Sequence, residues 1–372
     1  MKALGVILAG GNNQRLDVLT TKSGRASAAM PIAGGYRTID FSLSNMTNSG
    51  IKKVAVMIQH NSNSIYNHLS SAKWWDLGRK KGGLFLFSPY MSSSVGSTYF
   101  KGTADAMYQN IKFFRRSNEE YVVIAHGDAV YKMDFNDIVK EHVEKGNDIT
   151  VVYRKAGNLD VKQFGVLTMD EEEKITEIEE KPLETDVDNI SLGIYVISRT
   201  KLIELLEKTQ LEGRHDFVKD ILIRYRKVLK IRGCRFDDYW STLNSVKAYY
   251  DTNMDFLRKC VRDYFNKTAP FIATKPNDEP PAKYNRSAEV KGSIIGGGSI
   301  IDGYVEGSVI FSRVYIGENS FIKNSIIMDG VHIGSNCVIE NAVIDKSVVI
   351  GDGKKIVGLD DSPELVEKGR VL

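Results

Sequence analysis

Along the first 260 residues, short runs rich in aliphatic and β-branched residues alternate with stretches whose apolar positions recur at helical spacing. Ala3 to Ala9, Lys53 to Ile58, Tyr121 to Ala125 and Ile149 to Tyr153 read as strands. Between them, Thr103 caps a helix that runs to Arg116, and Asn136 opens one that ends at Gly146. Strands alternating with helices predict an α/β, Rossmann-like doubly wound sheet covered on both faces. Ligands of such sheets collect beyond the carboxyl ends of the strands, which directs attention to the loops after Ala9, Ile58 and Ala125.

From about Ser287 the helical spacing vanishes, and Ile and Val recur every few residues among Gly, Ser and Asn. Ile316-Gly317, Ile333-Gly334 and Ile350-Gly351 stand 17 residues apart, and a further Ile falls six residues on at Ile322 and Ile339. A sandwich of short strands would alternate with period two and show no fixed repeat length. The repeat instead fits hexapeptide coils of a left-handed parallel β-helix, with an aliphatic residue pointing into a three-sided prism and Gly or Asn at the corners. Four of the chain's eight prolines, Pro270, Pro276, Pro280 and Pro281, mark a linker. The expected division is an α/β domain over 1–265, a linker over 266–286 and the β-helix over 287–372.

Length agrees with two domains, since 372 residues exceed what one core usually holds. A net charge of +3, from 50 basic and 47 acidic residues, is too balanced to suggest a nucleic acid or membrane surface, so any anion site is local. Cys234, Cys260 and Cys337 are far apart and odd in number, which predicts free buried thiols in a reducing cytoplasm. Leu4 to Ala9 lacks the flanks of a signal peptide, and no apolar run approaches the roughly 18 residues of a membrane span. A cytoplasmic location is expected.

The first strand runs into Gly10-Gly11-Asn12-Asn13-Gln14-Arg15-Leu16. Exposed backbone N–H groups in a glycine turn can cradle phosphate oxygens, and an arginine can neutralise them. The glycines alone fit an ordinary strand-to-helix turn equally well.

Further blocks resolve that choice. Gly35-Tyr36-Arg37-Thr38-Ile39-Asp40-Phe41, Trp75-Asp76-Leu77, Gly102-Thr103-Ala104-Asp105-Ala106, Gly127-Asp128, Glu180-Lys181-Pro182, Ser191-Leu192-Gly193-Ile194-Tyr195 and His215-Asp216-Phe217 follow one another along the chain. In content and order they resemble the ADP-glucose pyrophosphorylase (glucose-1-phosphate adenylyltransferase) family over nearly the whole length, with Gly10, Gly11 and Arg15 on that family's phosphate loop. The resemblance implies transfer of the adenylyl group of ATP to glucose 1-phosphate. It assigns the nucleotide to Gly10, Gly11, Gln59, Gly102 and Thr103, and the sugar phosphate to Gly165, Glu180, Lys181 and Ser191. Arg15 and Asp128 become the catalytic residues, Asp128 as a ligand of Mg²⁺. In-line displacement at phosphorus needs alignment and charge neutralisation more than a protein nucleophile.

The departures fall where phosphate and metal would sit. The loop's third glycine is Asn13, which tolerates a left-handed backbone but either blocks or reshapes the turn. A lysine that the resemblance places on the phosphates is Ser27, and the second metal-binding aspartate is Thr242 in Tyr239-Trp240-Ser241-Thr242. Asp238 lies four residues earlier, about 13 Å along a strand at ~3.3 Å per residue, too far to substitute. The histidine usual after the loop aspartate is Ala129.

The pattern resembles the GlgD-type glycogen-biosynthesis branch of the family: a regulatory subunit, weak or inactive alone, in a hetero-oligomer, a tetramer, with a catalytic subunit. The alternative is an active adenylyltransferase in which Asp128, water and substrate oxygens complete the Mg²⁺ site. If the chain is inactive, no cofactor is implied. His126 and His215 lack a metal-spaced partner and read as structural, and Arg79-Lys80-Lys81 as a solvated turn. A hexapeptide-repeat acyltransferase would need a histidine between coils, whereas His332 belongs to a regular strand and should point outward.

Overall fold

A computed structural model describes residues 2–11, 14–79, 82–89, 99–157 and 159–372. Strand β1 (Ala3–Leu8) lies at the centre of the main sheet. It pairs in parallel with β2 (Lys53–Met57) on one side, which in turn carries β3 (Gly83–Phe87). On its other side lies β4 (Tyr121–His126), also parallel. The short β5 (Ala129–Tyr131) follows at once, then β6 (Ile149–Lys155), β7 (Gly165–Met169), β8 (Ile175–Glu180), β9 (Asn189–Ser198), β10 (Ile231–Arg235) and β11 (Trp240–Thr242). The main sheet runs β8-β7-β9-β4-β1-β2-β3, with β6 and β10 branching from β9, while β5 pairs antiparallel with β11.

Alternation along β1 separates two cores. Ile7 packs into one, with α1 (Thr38–Asn48), α2 (Ser62–Leu69) and α5 (Phe135–Glu144); Leu4, Val6 and Leu8 face the other, with α3 (Thr103–Gln109), α4 (Ile111–Arg115) and α6 (Arg199–Leu211). Two-sided burial explains why β1 reads as an unbroken apolar run. In α5, Phe135, Ile138, Val139 and His142 are buried at helical spacing. The cap of α5 is Asp134, whose carboxylate accepts from Asn136 N at 2.9 Å, two positions ahead of the Asn136 expected from sequence. The helix expected from Thr103 to Arg116 breaks at Asn110, and Thr103 does not cap it: its hydroxyl accepts from Phe217 N at 3.0 Å.

Crossovers from β1 go first toward β2 and β3, then back across to β4. The chain therefore reverses direction between β1 and β4, and a ligand crevice opens at that point.

After α7 (Val246–Asp255) and α8 (Lys259–Asn266), the chain reaches a left-handed β-helix of three five-stranded parallel sheets. Its first strand is Lys283–Tyr284, within the segment assigned to the linker on proline content. Ile301, Ile316, Ile333 and Ile350 stack in one interior ladder, and Val305, Ile322 and Ile339 in another. Asn319 and Asn336 turn corners at φ 57° and 58°, where asparagine is the least strained residue after glycine. The third sheet packs Val309, Ile326 and Val343 against Leu16, Phe41, Tyr249 and Phe265, so one hydrophobic core joins the two domains. Cys234 and Cys337 are buried and free; Cys260 is free but exposed, contrary to expectation, because it lies on the solvent side of α8. No helix among the described residues is long and apolar enough to cross a membrane.

Candidate active site

A cleft of about 860 Å³ lies at the reversal point. Gly11, Gln14 and Arg15 border it after β1, and His126 and Asp128 border it after β4. Gly127 N donates to Leu8 O at 3.0 Å, tying the two loops together. Arg15 stands in the short turn Gln14–Leu16. Asn12 and Asn13 lie outside the described residues, as do Lys80 and Lys81 of the basic cluster.

Of the residues expected to hold the nucleotide, Gly10, Gln59 and Gly102 are not among the cleft's lining residues; a β-carbon on Gly10 would come 3.1 Å from Gln59 Cβ, so the glycine admits Gln59 beside the loop. The Gln59 Oε1 atom accepts from Phe100 N at 3.0 Å. Gly102 is glycine for a different reason: a β-carbon there would meet His215 O at 2.4 Å. That carbonyl accepts from Ala104 N and Asp105 N, so His215 works through its backbone at the start of α3. Thr103 lines the cleft while holding Phe217.

The sugar-phosphate candidates converge more tightly. Gly165 and Glu180 are direct partners across β7 and β8, and a β-carbon on Gly165 would lie 3.0 Å from a Glu180 carboxylate oxygen and 3.7 Å from Ser191 Cβ. Lys181 follows Glu180 at φ 53°, and its N–H donates to Phe164 O at 3.0 Å. Burial raises the Glu180 pKa, opposed by the charge of Lys181 and reinforced by Asp216. Lys162, Asp216, Phe217 and Lys219 complete this end of the cleft. Lys162 and Lys219 were not legible as site residues; the one signal for Lys219 was its place just after the His215-Asp216-Phe217 block. Trp240 also lines the cleft, and its buried indole N–H has no acceptor among the described residues.

Two comparisons with known proteins decide the family. A nucleotidyl transferase model matches residues 4–259, and a GlmU-like C-terminal hexapeptide model matches residues 280–367. Glucose-1-phosphate adenylyltransferases of Pseudothermotoga lettingae, Halalkalibacterium halodurans and Thermosipho africanus are 38%, 37% and 39% identical to this chain. Each comparison covers 86% of the chain and, in that order, 76%, 83% and 77% of the relative. The chain belongs to the glucose-1-phosphate adenylyltransferase family.

Within this family member, the two substituted positions fall inside the cleft. Ser27, in the turn Ser27–Ala29, is buried at its wall and brings no positive charge. Thr242 is the cross-strand partner of Ala129, and its hydroxyl donates to Asp128 O at 3.4 Å, reinforced by Leu243 N to the same oxygen at 3.1 Å. Thr242 therefore occupies the place beside Asp128 that the family resemblance gives to a second carboxylate. Among the described residues there is no cluster of three His, Cys, Asp or Glu side chains able to hold a metal. Asp128 with a neutral hydroxyl does not match the paired carboxylates of the Mg²⁺ site that the resemblance implies. Asp238 is not among the cleft residues.

Proposed function

We propose that this chain is a sugar-phosphate-binding subunit of an ADP-glucose-forming assembly in glycogen biosynthesis, with weak or no adenylyl transfer alone, acting in a hetero-tetramer with a catalytic glucose-1-phosphate adenylyltransferase. One contrast within the cleft carries this reading. Gly165, Glu180, Lys181 and Ser191 form a continuous polar cradle, while the phosphate and metal end has Ser27 and Thr242 in place of charged groups. Glu180 would accept from sugar hydroxyls, the Trp240 N–H supplies a donor that lacks an acceptor, and Lys181 with Lys219 neutralises the phosphate. Adenylyl transfer needs charge neutralisation on the triphosphate as it reacts, and that end of the cleft retains only Arg15 and Asp128 as charged candidates from the family pattern.

A second reading, an enzyme active by itself, is favoured by the presence of Asp128, Arg15 and Gly11 around the same cleft. Turnover of ATP and glucose 1-phosphate separates the two. The chain alone, a catalytic companion alone, and the co-purified mixture are assayed side by side. The proposal expects little turnover from the chain alone and altered turnover or effector response in the mixture. Full turnover by the chain alone would refute it.

A further inference from the structure

His126 is the last residue of β4 and pairs with Leu8 of β1 in the sheet. On its other side, the register that pairs Tyr195 with Ile124, continued by two residues, sets it opposite Gly193 of β9. Strand β9 bulges against β6 between Ser191 and Ile194, and Gly193 lies in that bulge at φ 68°. Bulges beside a site re-aim the side chains around them. Here the bulge and the missing β-carbon make room for an imidazole, since a β-carbon on Gly193 would stand 2.6 Å from His126 Cδ2 and 3.2 Å from Nε2. The ring therefore lies at the cleft wall, over the residue whose N–H donates to Ser191 Oγ.

The backbone of His126 is anchored, its carbonyl accepting from Ser42 Oγ at 2.8 Å, yet neither ring nitrogen makes a hydrogen bond among the described residues. Glu180 lines the same cleft in a similar state. It is half-buried, no hydrogen bond among the described residues ends on its carboxylate, and Lys181 Nζ stands 4.0 Å from its Oε1. The two groups lie within electrostatic reach of each other: burial raises the Glu180 pKa, and His126 is among the charges that oppose it. A carboxylate only accepts hydrogen bonds, whereas an imidazole N–H donates one. A hydroxyl placed between them satisfies both, donating to Glu180 and accepting from His126.

On the sugar-phosphate reading of the cleft, on which this assignment rests, we propose that His126 is a specificity-determining residue that, with Glu180, recognises one hydroxyl of the bound sugar. A site built around a hydroxyl rejects the analogue that lacks it, because both polar partners are then left desolvated and unpaired. Packing alone has no such effect: a ring that only fills the space over Gly193 treats the analogues alike. Glu180 stands 54 positions along the chain from His126, so spacing in the sequence could not bring the two together.

Calorimetric titration of the full chain with glucose 1-phosphate and with its monodeoxy analogues, each lacking a single hydroxyl, tests the assignment. Wild type should bind one of these analogues at least about tenfold more weakly than glucose 1-phosphate. His126→Phe keeps an aromatic ring over Gly193 and removes the N–H. It should bind glucose 1-phosphate at least about tenfold more weakly than wild type and lose most of the discrimination against that one analogue, with preferences at the other positions unchanged. His126→Gln keeps a donor and should restore part of both. Circular dichroism and melting check the fold of each variant, and His126→Ala takes the place of His126→Phe if the latter does not fold. Three outcomes would overturn the assignment and leave the sugar-phosphate reading standing: a wild type that binds every analogue as well as glucose 1-phosphate, full discrimination retained by His126→Phe, or a loss spread equally over all analogues. A wild-type chain that binds no glucose 1-phosphate would overturn that reading and the assignment with it.

Discussion

Arg25 and Asp345, 320 residues apart in the chain, close a 2.8 Å ion pair across the junction of the two domains, with side chains only 5% and 0% exposed. Asp345 also accepts from Ser23 Oγ at 2.6 Å, and Arg25 donates to Leu19 O at 3.0 Å. Every charge in this knot is answered by a hydrogen bond, which is what permits its burial. Arg25 stands two residues before Ser27, so the β-helix holds the segment that walls the cleft.

Removing one partner leaves the other charge buried and unpaired. Asp345→Ala is therefore expected to destabilise the chain by about 3–5 kcal/mol. The double variant Arg25→Met with Asp345→Leu, which removes both charges and keeps much of the volume, should recover most of that loss. Urea denaturation measures both, and a loss under about 1 kcal/mol for Asp345→Ala would mean that the pair is not closed in solution.

A second prediction concerns the lost charges. Under the proposed function, Ser27→Lys combined with Thr242→Asp restores a cation and a carboxylate at the two substituted cleft positions. Turnover of ATP and glucose 1-phosphate with Mg²⁺ should rise at least tenfold, corresponding to about 1.4 kcal/mol of transition-state stabilisation. Neither single change should reach the double, because the two groups would act on the same reacting phosphates. If wild type is already fully active and Thr242→Asp alters its rate by less than about twofold, the independent-enzyme reading holds instead.

The sheet, the β-helix and most of the cleft were legible because each rests on local periodicity or on a short block. Ile316, Ile333 and Ile350 announce their ladder by spacing alone, and the two-sided burial of β1 is written in its apolar run. Contacts between distant segments were not legible. The resemblance gives Gly102 to the nucleotide, yet the structure requires glycine there because His215 O approaches from 113 positions along the chain. Thr103 has a good capping side chain, but Phe217 N claims it. Arg25 in sequence is a basic residue near a phosphate loop, and only the fold gives it Asp345.

Acid sensitivity should arise at His142, a residue outside the cleft. Burial lowers its pKa to about 4, with Asp148 opposing weakly, and its Nδ1 lies 2.9 Å from Thr150 Oγ1. The unfolded chain, with a histidine pKa near 6.5, takes up the proton first as pH falls. Stability is therefore unaffected above about pH 7, declines as pH drops from about 6.5 toward 4, and loses up to about 3 kcal/mol in all. His142→Gln keeps a hydrogen-bonding group and removes the titration, so its midpoint in urea should vary less than that of wild type between pH 6.5 and 4.5. Equal slopes would assign the acid sensitivity elsewhere.

Under the proposed function, the sugar end of the cleft depends on one glycine. Gly193 has φ 68°, its N–H donates to Ser191 Oγ at 3.3 Å, and a β-carbon there would stand 2.6 Å from His126 Cδ2. Gly193→Ala thus combines a left-handed backbone cost of about 1–2 kcal/mol with a clash against the ring. It is expected to lower stability by about 2 kcal/mol or more and to weaken glucose 1-phosphate binding by moving His126 or Ser191. The two contributions separate in the double variant Gly193→Ala with His126→Ala. Removing the ring relieves the clash and leaves the backbone strain, so stability should recover only in part. Calorimetric titration of the same proteins shows whether binding follows. If Gly193→Ala binds glucose 1-phosphate as tightly as wild type despite its lower melting temperature, the cradle around Ser191 does not contact the sugar phosphate.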